Sequence, residues 1–144
     1  MQQLEQKLVD IADGMASKQS NGMKHECRQE AVTAFNQQLA KETNGTASLT
    51  DNQITAIDHL TEDKQLSSLV GVAGAGKTTI MQVAKDAYER DGYRVRGAAL
   101  SGIAAGGLKE SGIQAGTLHA LEMQIKAAEN MKRQQSWDSL SKKQ

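Results

Sequence analysis

The sequence has no proline, one cysteine and very few aromatic residues, and each of these scarcities excludes something. Without proline, long uninterrupted helices are favoured. Because Cys27 is the only cysteine among the 144 residues, no internal disulfide can form, and a reducing compartment fits best. One Phe, two Tyr and one Trp are too few for an aromatic-rich core or for a base-stacking platform of several rings.

The chain also lacks an excess of charge of either sign and any long apolar run. Its 17 Lys and Arg residues balance 17 Asp and Glu residues, so no overall charge attracts it to nucleic acid, although local patches remain possible. No apolar run approaches the roughly 20 residues of a membrane span, and the N-terminus lacks a secretory apolar stretch. We therefore expect a cytoplasmic protein with no membrane association.

Apolar spacing predicts that residues 1–48 form a helical N-terminal extension. Its first apolar stripe consists of Leu4, Leu8, Ile11 and Met15. These residues recur at the three-and-four spacing of one helical face, and the pattern ends at residues 20–22. A second helix is predicted from about Lys24 to Glu42. We expect the stripes to be buried in the core, with coiled-coil pairing as the alternative.

Residues 49–135 predict an α/β domain, a partial P-loop NTPase fold of parallel strands and flanking helices. A short helix begins at Thr50, with Gln53 in the capping-box position three residues later. The next elements would make a right-handed βαβ unit. They are a strand over 66–70, a glycine-rich loop, a helix beginning near Thr78 and a strand over 93–100. A further helix carries Leu118, Leu121, Ile125 and Ala128. Residues 136–144 are expected to be a polar tail.

The glycine-rich loop, residues 71–78, matches the phosphate-binding pattern G-x-x-x-x-G-K-[ST] at every fixed position. Its glycines allow successive backbone N–H groups to surround a phosphate. Lys77 can reach the β and γ phosphates, and the Thr78 hydroxyl can ligate Mg²⁺, so both are assigned catalytic roles. The predicted nucleotide-binding residues of the loop and helix start are Gly71, Val72, Ala73, Gly74, Ala75, Gly76, Lys77, Thr78 and Thr79. The alternative is a glycine-rich surface turn that binds nothing.

Residues 49–53, Leu-Thr-Asp-Asn-Gln, resemble the corresponding segment of RecD-like superfamily 1 DNA helicases. The resemblance implies that Gln53 reads adenine, so that ATP with Mg²⁺ is the expected ligand. A Gln side chain can offer adenine one donor and one acceptor. The alternative is that Gln53 serves only in the helix cap, although the two roles can coexist. No Asn-Lys-x-Asp guanine-reading tetrad is present, which disfavours a GTPase.

Residues 92–108 resemble the segment after the phosphate loop in conjugative relaxase–helicases of the TraA type. The resemblance implies a RecA-like fold and binding of single-stranded DNA. It assigns DNA contacts to Ser101, Gly102 and Ala104 of motif Ia, and to His119 in a Thr-hydrophobic-His element. Small residues with free backbone donors suit close approach to a phosphodiester chain. The alternatives are that the small residues pack a helix against the sheet and that His119 is satisfied inside the fold.

The sequence departs from that family because it contains no buried strand ending in Asp-Glu after the phosphate loop. Hydrolysis needs such carboxylates to hold Mg²⁺ and orient water. We therefore expect the ATP-binding portion of a conjugative-transfer DNA helicase, truncated before that Walker B strand and weakly hydrolytic or inactive alone. Its partners would be the remainder of the helicase or the conjugation machinery. The alternatives are a stand-alone, nucleotide-gated ATP-binding interaction module and a small-molecule kinase.

Overall fold

The computed structural model describes residues 2–20, 23–71 and 76–141. The chain divides into two compact units, Met1–Val95 and Arg96–Gln144. The elements in chain order are α1 (Gln2–Ser17), α2 (His25–Glu42), α3 (Asp51–Leu60), α4 (Lys77–Arg90), β1 (Arg96–Ala99), α5 (Gly102–Glu110), β2 (Gln114–Thr117) and α6 (Leu118–Ser141). The predicted mixture of helices and parallel strands is confirmed.

The core of the first unit joins α2, α3 and α4. The buried apolar side chains of this core are Met23, Ala31, Leu49, Ile57, Ile80, Val83 and Ala87. They come from both sides of residue 48, so the predicted N-terminal extension shares a core with the segment that follows it. The predicted boundary between 48 and 49 therefore does not coincide with a break in packing.

Helix α1 contributes no buried residue to this core, contrary to our expectation for its apolar stripe. Leu4, Leu8 and Ile11 are each more than half exposed, at 63%, 59% and 51%. Amphipathic spacing predicted the helix correctly, because periodicity is a local property. It did not predict what covers the apolar face, because that depends on residues distant in the sequence.

Helix α3 begins with the predicted capping box. The Thr50 hydroxyl accepts a hydrogen bond from Gln53 N at 3.2 Å, and Gln53 Oε1 accepts one from Thr50 N at 3.0 Å. Two backbone donors that would otherwise lack partners at the start of the helix are satisfied in this way. The other end is held by Tyr88 of α4, whose hydroxyl donates to Leu60 O at 3.0 Å.

The second unit contains a two-stranded parallel sheet. The register pairs Arg96 with Gln114 at one end and Ala99 with Thr117 at the other. Helix α5 connects the strands and packs against both. Gly97 permits this packing, because a Cβ at this position would lie 3.0 Å from Ile113 Cγ2 and 3.1 Å from Leu108 Cδ1.

The predicted strand over 66–70 is wrong: these residues are described without strand pairing. A strand is defined by hydrogen bonds to a neighbour, and the sheet of the described residues consists of β1 and β2 alone. The strand predicted over 93–100 is shortened to β1, for the same reason. Helix α6 continues to Ser141, through most of the predicted polar tail. Within the described ranges, every helix is too short or too polar to cross a membrane.

Replacing Tyr88 by Phe should lower the free energy of unfolding by about 1 kcal/mol, because the hydrogen bond to Leu60 is lost. Burial, reinforced by Tyr93, raises the pKa of the Tyr88 phenol. The folded state therefore favours the neutral phenol, and this contribution is complete below the unfolded pKa of about 10 and declines as the pH rises above it. As the pH rises above about 10, the free energy of unfolding should consequently fall more in wild type than in Tyr88→Phe. Urea unfolding at a series of pH values measures this difference.

Lys85→Ala provides a control on the same helix. Lys85 forms a solvent-accessible pair with Glu89 at 2.9 Å, and such pairs contribute less than about 1 kcal/mol. The hydrogen bond assigned to Tyr88 would be contradicted if Tyr88→Phe and Lys85→Ala lost the same free energy of unfolding. It would also be contradicted if the free energy of unfolding of wild type and of Tyr88→Phe declined in parallel at alkaline pH.

Candidate nucleotide-binding site

The first turn of α4 begins without a side-chain cap from the residues that the structure describes. Its N-cap is Gly76, in the left-handed conformation with φ 77° and ψ 23°, and no side chain caps the helix. A helix start that lacks a side-chain cap leaves N–H groups pointing outward, where the positive end of the helix dipole also lies. This arrangement suits an anion such as a phosphate.

The loop residues with functional side chains lie at this helix start. Lys77 and Thr78 are exposed, and Thr79 is half-buried. Lys77 Nζ donates to Gly71 O at 2.5 Å, so the ammonium group reaches back to the first residue of the motif. Val72, Ala73, Gly74 and Ala75 lie outside the described residues. Both ends of the predicted phosphate loop thus lie at one location, which contains Gly71, Gly76, Lys77 and Thr78.

Gln53 is brought to the same location by α3. A Cβ built on Gly76 would lie only 2.5 Å from Gln53 Nε2. The side-chain oxygen of Gln53 is engaged in the capping box, whereas its NH₂ group is directed at the N-cap of α4. The capping role of Gln53 is therefore confirmed, and its location beside the phosphate loop is compatible with a second role toward a nucleotide base.

The described residues fit a Mg²⁺–nucleotide. Backbone donors at the start of α4 would hold phosphate oxygens, and the Lys77 ammonium would exchange the Gly71 carbonyl for phosphate. The exposed Thr78 hydroxyl is an oxygen donor of the kind that Mg²⁺ accepts. Among the described residues no cluster of His, Cys, Asp or Glu could hold a metal ion by itself. Phosphate oxygens and water would supply the rest of the metal's coordination in such a complex.

The residues predicted to contact DNA lie in the second unit, at one edge of its sheet. Since Ala99 and Thr117 are paired, β1 and β2 end together, and α5 and α6 begin at this shared carboxyl edge. Ser101 caps α5 by accepting from Ala104 N at 3.2 Å. His119, in the first turn of α6, is exposed, so the interpretation that it is enclosed within the fold is wrong.

Sequence reasoning missed the cap on α6 and two exposed apolar residues at this edge. Thr117 caps α6 by accepting from Ala120 N at 3.2 Å, and its place directly before an apolar helical stripe was an available signal. Leu100 and Ile103 are 90% and 92% exposed. No sequence signal distinguishes these two from core residues. Exposed small and apolar residues at this edge are compatible with close approach of a nucleic-acid chain.

Replacing Gly76 by Ala should perturb both helices that meet at the site. The left-handed backbone costs about 1 kcal/mol or more with a side chain, and the added methyl group would displace the Gln53 amide. Gly92→Ala is a matched control, because Gly92 has φ 87° with nothing within 4 Å of the added Cβ. Gly76→Ala should therefore lower the free energy of unfolding more than Gly92→Ala.

The double variant Gly76→Ala/Gln53→Ala isolates the contact. Because removal of the Gln53 side chain eliminates the collision, the double variant should lose less stability than the two single losses combined. Urea unfolding measures all four variants. Strict additivity, together with equal losses for Gly76→Ala and Gly92→Ala, would show that the two residues do not interact.

The chain is similar to several known proteins. The AAA domain family matches residues 48–140. The probable conjugal transfer protein TraA of Sinorhizobium fredii is 50% identical over 52 residues, covering 36% of this chain and 5% of that protein. The conjugal transfer proteins TraA of Rhizobium radiobacter and Agrobacterium fabrum are 48% and 46% identical over 52 residues, with the same coverage. No solved structure matches.

The similarity to TraA proteins confirms the resemblance predicted from the sequence, over part of the chain. Only a twentieth of the length of these relatives is covered. The family match is broader, since it takes in more than half of this chain, from just before α3 into α6. The chain belongs to the AAA domain family.

Proposed function

We propose that the chain is the ATP-binding portion of a conjugative-transfer DNA helicase with a RecA-like nucleotide site. The observation that carries the proposal is the contact between Gln53 and Gly76, which combines a base-reading group with a phosphate-binding helix start. Similarity to TraA proteins supports the conjugative context, and membership of the AAA domain family supports nucleotide binding.

In the proposed complex each residue of the site has a separate task. Gly76 and the first backbone donors of α4 bind the phosphates, and Lys77 neutralises charge on the β and γ phosphates. Thr78 orients Mg²⁺, which shields the phosphate oxygens when it is bound. Gln53 donates from its NH₂ group to an acceptor on the adenine ring.

The carboxyl edge of the second unit is the proposed contact surface for single-stranded DNA. Both helices that begin there present the positive end of their dipoles, and Ser101, Gly102, Ala104 and His119 lie within their first turns. The exposed Leu100 and Ile103 offer apolar surface to bases at the same edge. Because phosphate contacts release counterions, DNA affinity should be weak and should fall as the salt concentration rises.

Lys77→Ala should weaken ATP binding by at least about tenfold, because it removes a charge-assisted hydrogen bond to phosphate. Gln53→Ala should weaken ATP binding by about fivefold, in line with the loss of one neutral hydrogen bond, and should reduce any preference for ATP over GTP. Titration calorimetry with Mg·ATP and Mg·GTP measures both effects.

The two variants test different parts of the proposal. Unchanged ATP affinity in Lys77→Ala would refute the phosphate site. Loss in Lys77→Ala combined with an unaltered ATP-to-GTP ratio in Gln53→Ala would leave the phosphate site standing and refute base reading by Gln53. Lys85→Ala, on a later turn of α4, should bind ATP as wild type does.

Hydrolysis by the 144-residue chain should be very slow. Neither β1 nor β2 is followed by a carboxylate, since Ala99 precedes Leu100 and Thr117 precedes Leu118. When no carboxylate at a strand end orients water and no cation neutralises the charge of the transition state, hydrolysis slows by a factor of about 10³ or more. Phosphate release that Lys77→Ala does not reduce would indicate a contaminant, whereas rapid release abolished by Lys77→Ala would refute the prediction.

A nucleotide-gated interaction module is the second candidate, and the exposed apolar stripe of α1 favours it. Such a module would bind ATP without binding DNA. Fluorescence anisotropy with a labelled single strand separates the two functions: salt-sensitive binding supports the helicase portion, and its absence in ATP-saturated protein supports the module.

A further inference from the structure

Helix α2 lies outside the segment matched by the AAA domain family, yet it contacts the backbone on both sides of α3. Arg28 Nη2 donates to Thr61 O at 3.0 Å, just after α3 ends. Asn36 Oδ1 accepts from Leu49 N at 2.8 Å, two residues before α3 begins. Both side chains reach toward the helix that carries Gln53.

These two contacts come from one face of α2. Arg28, Val32 and Asn36 are spaced four residues apart, so they lie above one another along the helix. The distance from Arg28 to Asn36 along α2 is about 12 Å, and the 10 residues of α3 span about 15 Å. Between the two polar contacts, Val32 and Phe35 pack against the shared core. The two groups on α2 are therefore spaced by somewhat less than the length of α3, and their side chains reach outward to residues just beyond its ends.

We propose that Arg28 and Asn36 are positioning residues for nucleotide recognition, which hold α3 at both ends so that the Gln53 amide stays at Gly76. The inference rests on the proposed function, because it assigns these residues to the base side of the same site. Neither side chain would touch the nucleotide. Each would act through the backbone of α3.

The contact made by Arg28 is suited to fixing an orientation. Its side chain is only 17% exposed, and Nη1 also lies 3.4 Å from Asp58 Oδ1. A guanidinium group that binds two acceptors at once restricts rotation as well as distance. The last carbonyls of a helix have no partner within the helix, so the bond to Thr61 O also satisfies an orphan acceptor.

The contact made by Asn36 leads directly to Gln53. Leu49 is buried, and Thr50, the next residue, exchanges both capping-box hydrogen bonds with Gln53. A displacement of Leu49 would therefore be transmitted through Thr50 to the Gln53 side chain. A helix held at one end can still pivot, whereas a helix held at both ends keeps its orientation.

The test compares ATP with inorganic tripolyphosphate, which carries the phosphates but no base. In the full chain, Asn36→Ala and Arg28→Ala should each lower the ratio of ATP affinity to tripolyphosphate affinity by about fivefold, while tripolyphosphate affinity stays unchanged. Asn36→Asp, which retains an acceptor for Leu49 N, should keep the wild-type ratio. Gln29→Ala, an exposed neighbour on α2, is the matched control.

A second measurement follows the Gln53 side chain without nucleotide. The NH₂ resonances of Gln53 in ¹⁵N–¹H spectra should shift in Asn36→Ala and stay in place in Gln29→Ala. Resonances that do not move in Asn36→Ala would overturn the proposal. If Arg28→Ala fails to fold, Arg28→Lys replaces it, because lysine keeps the charge but loses the two-pronged geometry.

The remaining outcomes are also decisive. A parallel loss of ATP and tripolyphosphate affinity in a folded Asn36→Ala variant would indicate a general structural role and overturn the proposal. If the wild-type chain binds ATP and tripolyphosphate equally, the base recognition that the proposed function assigns to Gln53 is refuted. In that case a shift of the Gln53 resonances in Asn36→Ala would still support the positioning of Gln53 by α2.

Discussion

The close approach of the Gln53 amide to the backbone of Gly76 is the interaction that brings α3 and the start of α4 together at the candidate site. A methyl carbon added at Gly76 would lie 2.5 Å from Gln53 Nε2, so any other residue would require the Gln53 amide to move away. The same residue has a positive φ, which turns the chain into α4 and leaves the first donors of that helix without a side-chain cap. One glycine therefore both turns the chain into α4 and leaves room for the Gln53 amide beside it.

The capping box of α3 limits what Gln53 can offer a ligand. Its side-chain oxygen already accepts from Thr50 N, so one of the two acceptor positions is in use, whereas the NH₂ group faces the site. Adenine and guanine both present a ring nitrogen that can accept from this group. A distinction between them requires the remaining lone pair of the oxygen to accept from the adenine amino group. Under the proposed function, selectivity for adenine would therefore depend on how accurately the cap orients this one amide.

Local spacing predicted much of this site, and non-local pairing accounts for what it missed. The capping box joins residues three apart, so Thr50 and Gln53 were identified from sequence alone. Leu66 to Val70 has the composition of a strand, but composition does not specify a pairing partner. The segment containing α5 and β2 is rich in small residues and has no clear period, so a helix packed on the sheet was only an alternative interpretation there and β2 was not predicted. The bond between Asn36 and Leu49 joins residues 13 apart and has no sequence signature.

The contacts of α2 show why a boundary based on family similarity differs from a boundary based on packing. The start of α2 is held by Asp91, which follows α4: its carboxylate accepts from Lys24 N at 3.2 Å, and the Asp91 side chain is only 8% exposed. Desolvation and this carboxylate raise the pKa of the Cys27 thiol, so Cys27 remains protonated and can donate to Asp91 as well. Helix α2 is thereby fixed to the end of α4 and to both ends of α3. Since α4 begins at the predicted phosphate loop and α3 carries Gln53, the helix that links them packs with both helices of the candidate site, although the family match begins only at residue 48.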